Sequence, residues 1–243
     1  MTSRRQFLKY IPCTFVVTKY NAVLADNKNV INYKITAKKT SFSFKDNTSA
    51  ELLLYNDTNP GPTLKGNVGD ILRVNFTNNL DEPTSIHWHG IKNINKMDGV
   101  PYLTQDPVQP GETFSYEFPV NQSGTYWYHA HMDSWKQVAK GLYGPLVVND
   151  KTDDLIEDDI VILADDWRLD KNYEIDEKSF GSLMDWSHAG RVGNWLTING
   201  EKSPQYSIKA NSRVRLRFIN ASNARILKFG SSLKNNNIIA IDG

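Results

Sequence analysis

Short runs in which apolar and polar residues alternate, separated by turn residues, fill most of the chain. In "DILRVNFT" (70–77), Leu72, Val74 and Phe76 fall on one face of an extended strand, and in "TFSYEFP" (113–119) Phe114, Tyr116 and Phe118 do the same. "NPGPT", "QPGET" and "NQSGT" supply the turns between such runs. No long segment repeats at the helical period, and only "SWKQVAKG" (134–141) allows a turn of helix. The pattern predicts an all-β fold of sandwich or barrel type.

Sliding the sequence over itself by 142 positions lays "PTLKGNVGDILRVNFTNN" over "PQYSIKANSRVRLRFINA". Four of eighteen positions are identical, and Val214, Leu216 and Phe218 take the places of Leu72, Val74 and Phe76. This predicts two copies of one β-sandwich, residues 26–150 and 151–243, divided within the acidic stretch "NDKTDDLIEDD". The second copy is shorter, 93 residues against 125, and closes on what reads as a fresh strand, "IIAIDG". A sandwich lacking its last strands leaves an open edge. The chain is therefore expected to be the front part of something longer, or a truncated remnant.

Composition narrows the picture. Of 243 residues, 40% are hydrophobic and 23% charged, enough apolar material for a sizeable core. The net charge of +1, without a basic stripe, argues against nucleic acid as a partner. The opening "MTSRRQFLKY", followed by "IPCTFVV" and "AVLA", has the layout of a twin-arginine export signal, residues 1–25, and implies a periplasmic destination. Cleavage after Ala25 removes four basic residues of 28 and leaves 24 against 27 acidic, a charge of −3. No stretch approaches the ~20 apolar residues of a membrane span. Cys13, the only cysteine, falls inside the signal, so the mature chain is expected to have no disulfide and no thiolate ligand.

Four of the five histidines sit in two His-x-His pairs, His87 and His89 in "SIHWHG", His129 and His131 in "TYWYHAHMDSW". On a strand His87 and His89 point one way and Trp88 the other, while Trp127, His129 and His131 share a face opposite Tyr128 and Ala130. Residues two apart lie ~6.6 Å from each other along a strand. That spacing suits two or three ions side by side, and two such strands facing each other offer four imidazoles to a small metal cluster. Imidazole suits copper, zinc, iron and nickel. The lack of carboxylates beside the pairs disfavours a non-haem iron triad, and the lack of a mature cysteine disfavours structural zinc.

"HWHG", "MDGVPYLTQDPVQPGETFSYEF", "GTYWYHAH" and "GLYGPLVV" together closely resemble the first domain of multicopper oxidases. "DDWRLD", "SHAGRVGNWLTING" and "RVRLRFINASNARIL" resemble the second domain, which binds no copper in three-domain members. The resemblance implies tandem cupredoxin-like Greek-key sandwiches, the second incomplete. It implies that His87 ligates a lone type 2 copper and that His89, His129 and His131 ligate a coupled type 3 pair. Asp98 matches a carboxylate that organises the cluster's surroundings and proton delivery; its other reading is plain Asp-Gly turn chemistry. The implied activity is one-electron oxidation of a phenol or metal ion coupled to reduction of O₂ to water.

The departures are large. The family's remaining four cluster histidines lie in HPxHxHG and HCHxxxH motifs of a third domain, and neither motif is present. The second also carries the cysteine of the blue type 1 site. The chain thus has half a cluster and no electron entry, which leaves open a catalytically inactive copper-binding remnant. A dead structural relative fits the intact pairs less well. Copper nitrite reductases and two-domain laccases are disfavoured by the missing cysteine and by the second domain's lack of paired histidines. His188, in a Gly-flanked loop without a histidine partner, reads as structural.

Overall fold

Nine residues from Ile71 to Asn79 form a strand in which Leu72, Val74 and Phe76 are fully buried while their neighbours are not. This is the central strand β4 of the first unit in a computed structural model that describes residues 29–150, 156–232 and 236–241. The twin-arginine segment and Cys13 lie outside these residues.

The first unit is a sandwich of two four-stranded sheets. One has the order β2-β1-β4-β6, built from β1 (Val30–Phe42), β2 (Ala50–Tyr55), β4 and β6 (Thr113–Pro119). The other has the order β3-β8-β7-β5, built from β3 (Leu64–Asn67), β5 (Ile86–His89), β7 (Gly124–Ala130) and β8 (Tyr143–Asn149). The pairs β1–β4 and β3–β8 are parallel and the rest antiparallel, so both sheets are mixed. Between the sheets Trp88 packs on Phe118 at 4.7 Å and on Tyr116 at 5.3 Å between ring centroids. Each such fully buried large side chain contributes roughly 1.5–3 kcal/mol of hydrophobic stabilisation. Trp88 and Tyr128, alternate to the histidines, anchor β5 and β7 from within.

The second unit contributes β9 (Asp158–Trp167), β10 (Trp195–Ile198) and β11 (Val214–Asn220) in the order β10-β9-β11. β9 pairs antiparallel with β10 and parallel with β11, as β1 does with β2 and β4. The faces differ from the sequence expectation, however. Leu216 and Phe218, predicted to point inward, are 39% and 47% exposed, whereas Arg217 and Ile219 on the other face are buried. The reason is what each face meets. The reverse face lies against the first unit, and among the described residues no opposing sheet covers the expected one. "IIAIDG" also differs: residues 236–241 form no strand, and Ile238, Ile239 and Ile241 are exposed.

The two units share a core. Phe44, Leu52, Leu54 and Tyr143 of the first pack with Leu163, Trp167 and Ile219 of the second. Polar contacts reinforce it: Arg217 donates to Thr125 Oγ1 at 2.9 Å while held by Asp159 at 2.7 and 2.8 Å. The seam brings a loop-rich wall of the second unit opposite one edge of the β3-β8-β7-β5 sheet. No helix among the described residues is long and apolar enough to cross a membrane.

Candidate metal centre

The two histidine pairs lie on neighbouring strands of one sheet, not on strands that face each other across a sandwich. β5 and β7 pair antiparallel with His87 directly opposite His129 and His89 opposite Trp127. Opposed residues on adjacent strands project from the same face, so the register alone gathers the imidazoles. Ring centroids of His87 lie 5.8, 5.4 and 5.1 Å from those of His89, His129 and His131. Ligand nitrogens of His87, His89 and His129 all fall within 4.8 Å of one another.

Two of the rings are steered by the backbone. His87 Nδ1 donates to the Asp98 carbonyl at 2.8 Å, and His129 Nδ1 to the Ala130 carbonyl at 2.9 Å. A proton fixed on Nδ1 leaves Nε2 as the ligating nitrogen, the usual arrangement around protein-bound metals. His89 Nδ1 lies 3.3 Å from His129 Nε2. Two imidazole nitrogens bound at about 2.0–2.1 Å to one ion of near-tetrahedral geometry stand about that far apart. The pair therefore fits a shared ion. Burial pushes His129 down to about 4, with the neighbouring imidazoles adding to the shift, and burial also lowers His131. His129 is accordingly neutral near pH 7, as a ligand must be.

The loop that carries Asp98 is tied to β5. Asp98 follows a 3₁₀ turn, Asn95–Met97, and its carboxylate Oδ1 stands 3.7 Å from His87 Nδ1. Ser85 Oγ donates to the Gly99 carbonyl at 2.7 Å. Gly99 has φ +79°, and a Cβ there would come within 1.7 Å of the Ile86 carbonyl oxygen, so the Asp-Gly step has to end in glycine. The turn delivers the Asp98 carbonyl to His87, and the carboxylate comes along.

A cleft of about 1010 Å³ opens in front of the histidines. Its far wall is the second unit's, with Phe180, Trp186, His188, Arg191 and Ser222 among the lining. Residue patterning did not foresee this wall. His188, read as structural from its loop, lines the cleft with its Nδ1 against the Met184 carbonyl at 3.1 Å and Ser187 Oγ at 2.9 Å.

A mixed-sheet β-sandwich bearing a cluster of imidazoles at a cleft is the arrangement of a cupredoxin-like fold with a candidate metal site. Comparison makes the class specific. Residues 36–153 match the family model for multicopper oxidases. The chain is 34% identical over 229 residues to the multicopper oxidase mco of Staphylococcus haemolyticus, covering 90% of this chain and 48% of that protein. It is 34% identical over 208 residues to laccase-1 of Cryptococcus neoformans, covering 75% and 33%. Among solved structures, the multicopper oxidase of Pseudomonas thermotolerans superposes with a TM-score of 0.78 at 35% identity, covering 82% of this chain and 48% of that one. A metallo-oxidase of Campylobacter jejuni gives 0.71 at 33%, covering 82% and 41%. The chain belongs to the multicopper oxidase family, whose members bind copper. It spans between a third and a half of the length of these curated relatives.

Proposed function

We propose that residues 26–150 and 151–243 are the first two cupredoxin-like domains of a copper oxidoreductase, and that His87, His89, His129 and His131 are its half of a trinuclear copper cluster. His87 serves the type 2 ion, and His89, His129 and His131 serve the type 3 pair. The observation that carries this reading is the convergence of four imidazoles on one cleft, with Nδ1 of His87 and His129 locked to backbone carbonyls. Copper held by these histidines would supply one-electron redox chemistry for the reduction of O₂ to water, with the fourth electron and the reductant's entry coming from the type 1 site. The chain's own residues orient His87 and His129, keep His129 neutral by burial and, through Asp98 beside His87, place a carboxylate for handling protons at the cluster.

The remaining cluster ligands and the type 1 site belong to polypeptide that these 243 residues do not contain, since His188 is the only histidine outside the pairs and Cys13 the only cysteine. A phenol or metal ion is the reductant. The arginine pair in "SRRQFLK" supports export to the periplasm by the twin-arginine route. A second reading is favoured by that ligand count: on its own the chain is a copper-binding module without turnover.

Copper titration and oxygen-consumption assays test both. The chain is expected to bind copper without the strong blue colour of a thiolate site, and to lose it in His87→Ala/His129→Ala. Phenol or cuprous-ion oxidation is expected only when a third cupredoxin domain is supplied, and is expected to vanish with His131→Ala. Retention of copper by the double variant would remove the ligand assignment, and catalytic O₂ consumption by the chain alone would remove the half-site argument.

A further inference from the structure

Thr125, Trp127, His129 and His131 form one row, every second residue of β7 and the segment that continues it. The lower half of that row is held by the second unit: Arg217 donates to Thr125 Oγ1 at 2.9 Å, and Trp127 packs against the core shared between the units. The upper half carries two of the four imidazoles. Trp127 stands at the join. Its ring centroid lies 4.4 Å from that of His129 and 5.3 Å from that of His89, at 36° to each. These are the two histidines whose nitrogens are 3.3 Å apart.

We propose that Trp127 is a positioning residue, through which the second unit holds His89 and His129 in the orientation needed to share one ion. The proposal rests on the ligand assignment above and goes beyond it. An imidazole's ring torsion is soft and broad, and the hydrogen bond at Nδ1 holds His129 at one edge only. Offset contact with an aromatic face removes that freedom for two rings at once. It also gives the copper-free second unit a task at the metal, since the core that braces the indole is one the two units build together. Residues that orient ligands without touching the ion typically change metal affinity 10–100-fold when replaced.

The test measures copper affinity of the full chain by competition with a chromophoric chelator, together with thermal melting of each copper-free variant. Trp127→Leu is expected to weaken copper about 10-fold or more. Trp127→Phe, which keeps an aromatic face, is expected to remain within about threefold of wild type. Trp127→Met, similar in bulk but without a ring, is run in parallel so that a Leu variant that does not fold leaves the question decidable. Indole emission supplies an independent reading: cupric ion is expected to quench the wild-type chain more than Trp127→Phe, because the nearest indole has gone. Wild-type affinity in the folded Leu or Met variant, affinity in the Phe variant as weak as in these, or equal quenching in wild type and Phe variant would each overturn the positioning role. If His87→Ala/His129→Ala keeps its copper, it is the ligand assignment that has failed, and the proposal falls with it.

Discussion

The hydroxyl of Tyr143, on β8 of the first unit, donates to Asp165 Oδ2 of β9 in the second at 2.6 Å, in the buried seam between them. Burial pushes the Asp165 carboxyl up to about 7, against the opposing pull of hydrogen bonds from Tyr143 and the Asp166 amide. Its folded value thus lies above its unfolded one, so the folded chain holds a proton that the unfolded chain has released. Stability from this group is fully present below pH ~4 and is lost as pH rises through about 7, by on the order of 4 kcal/mol at most. Thermal melts between pH 4 and 8 are expected to show that decline, and Asp165→Asn to flatten it. An unchanged slope in the Asn variant would place the titrating group elsewhere.

Gly99 offers a way to disturb the proposed metal centre without replacing a histidine. A Cβ at this position meets the Ile86 carbonyl oxygen, and φ of +79° disfavours any side chain. Gly99→Ala is expected to push the Asp98 carbonyl away from His87 Nδ1, lowering the melting temperature and weakening copper together. The expected loss of stability is on the order of 1–3 kcal/mol or more, the cost of a strained backbone position. A variant with full stability and full copper affinity would show that the clamp on His87 is dispensable.

Arg191 presents the opposite case. Its two terminal nitrogens are buried without partners, one face stacks on Phe180 at 4.2 Å, and burial lowers its pKa. Its one hydrogen bond runs from Nε to Ser179 Oγ at 2.8 Å. Burying guanidinium nitrogens without hydrogen-bond partners is costly even with the charges of Asp176, Asp185 and Asp166 nearby, and an apolar side chain of similar length removes that cost. Arg191→Met is expected to melt at or above the wild-type temperature, by up to a few degrees. A clear drop would mean that attraction to Asp176, Asp185 and Asp166 outweighs the burial cost.

Among the described residues no sheet covers the expected inner face of the second sheet. Leu216 and Phe218 are exposed, with Phe229 against Phe218 at 4.5 Å between ring centroids. Leu216→Ser/Phe218→Ser is expected to leave the melting temperature within a few degrees of wild type and to reduce self-association in sedimentation velocity. If the double variant unfolds, the face is covered after all.

Where alternation and turn chemistry speak alone, the sequence was legible. Leu72, Val74 and Phe76 are buried as their spacing required, and the His-x-His pairs could be assigned to one side of their strands from period two alone. What alternation cannot supply is which strand lies beside which. Hence β5 and β7 emerged as neighbours in one sheet, with His87 opposite His129, where two facing strands had been expected. It also cannot say which face of a strand wins when both carry apolar residues. In β11 the face with Arg217 and Ile219 was buried because a second unit happened to cover it, a long-range fact absent from the local pattern. The cleft's far wall escaped for a similar reason. It is built of loops and short turns, among them the helix Leu183–Ser187, whose one local sign was Ser182 capping the Asp185 amide. His188 was visible as a histidine, but nothing within ten residues of it revealed that the chain would fold it towards the other four.

The pairing of His87 with His129 makes the proposed metal centre a reporter of strand alignment. Sliding β5 by one residue against β7 would turn both of its imidazoles into the apolar interior and bring Trp88 out in their place. A molecule with that fault could keep most of its secondary structure and much of its compactness, and so pass ordinary spectroscopic inspection. It could not assemble the four-nitrogen face. The fraction of chains able to take up metal therefore counts the fraction folded in the correct register, and a metal titration doubles as an assay of folding fidelity.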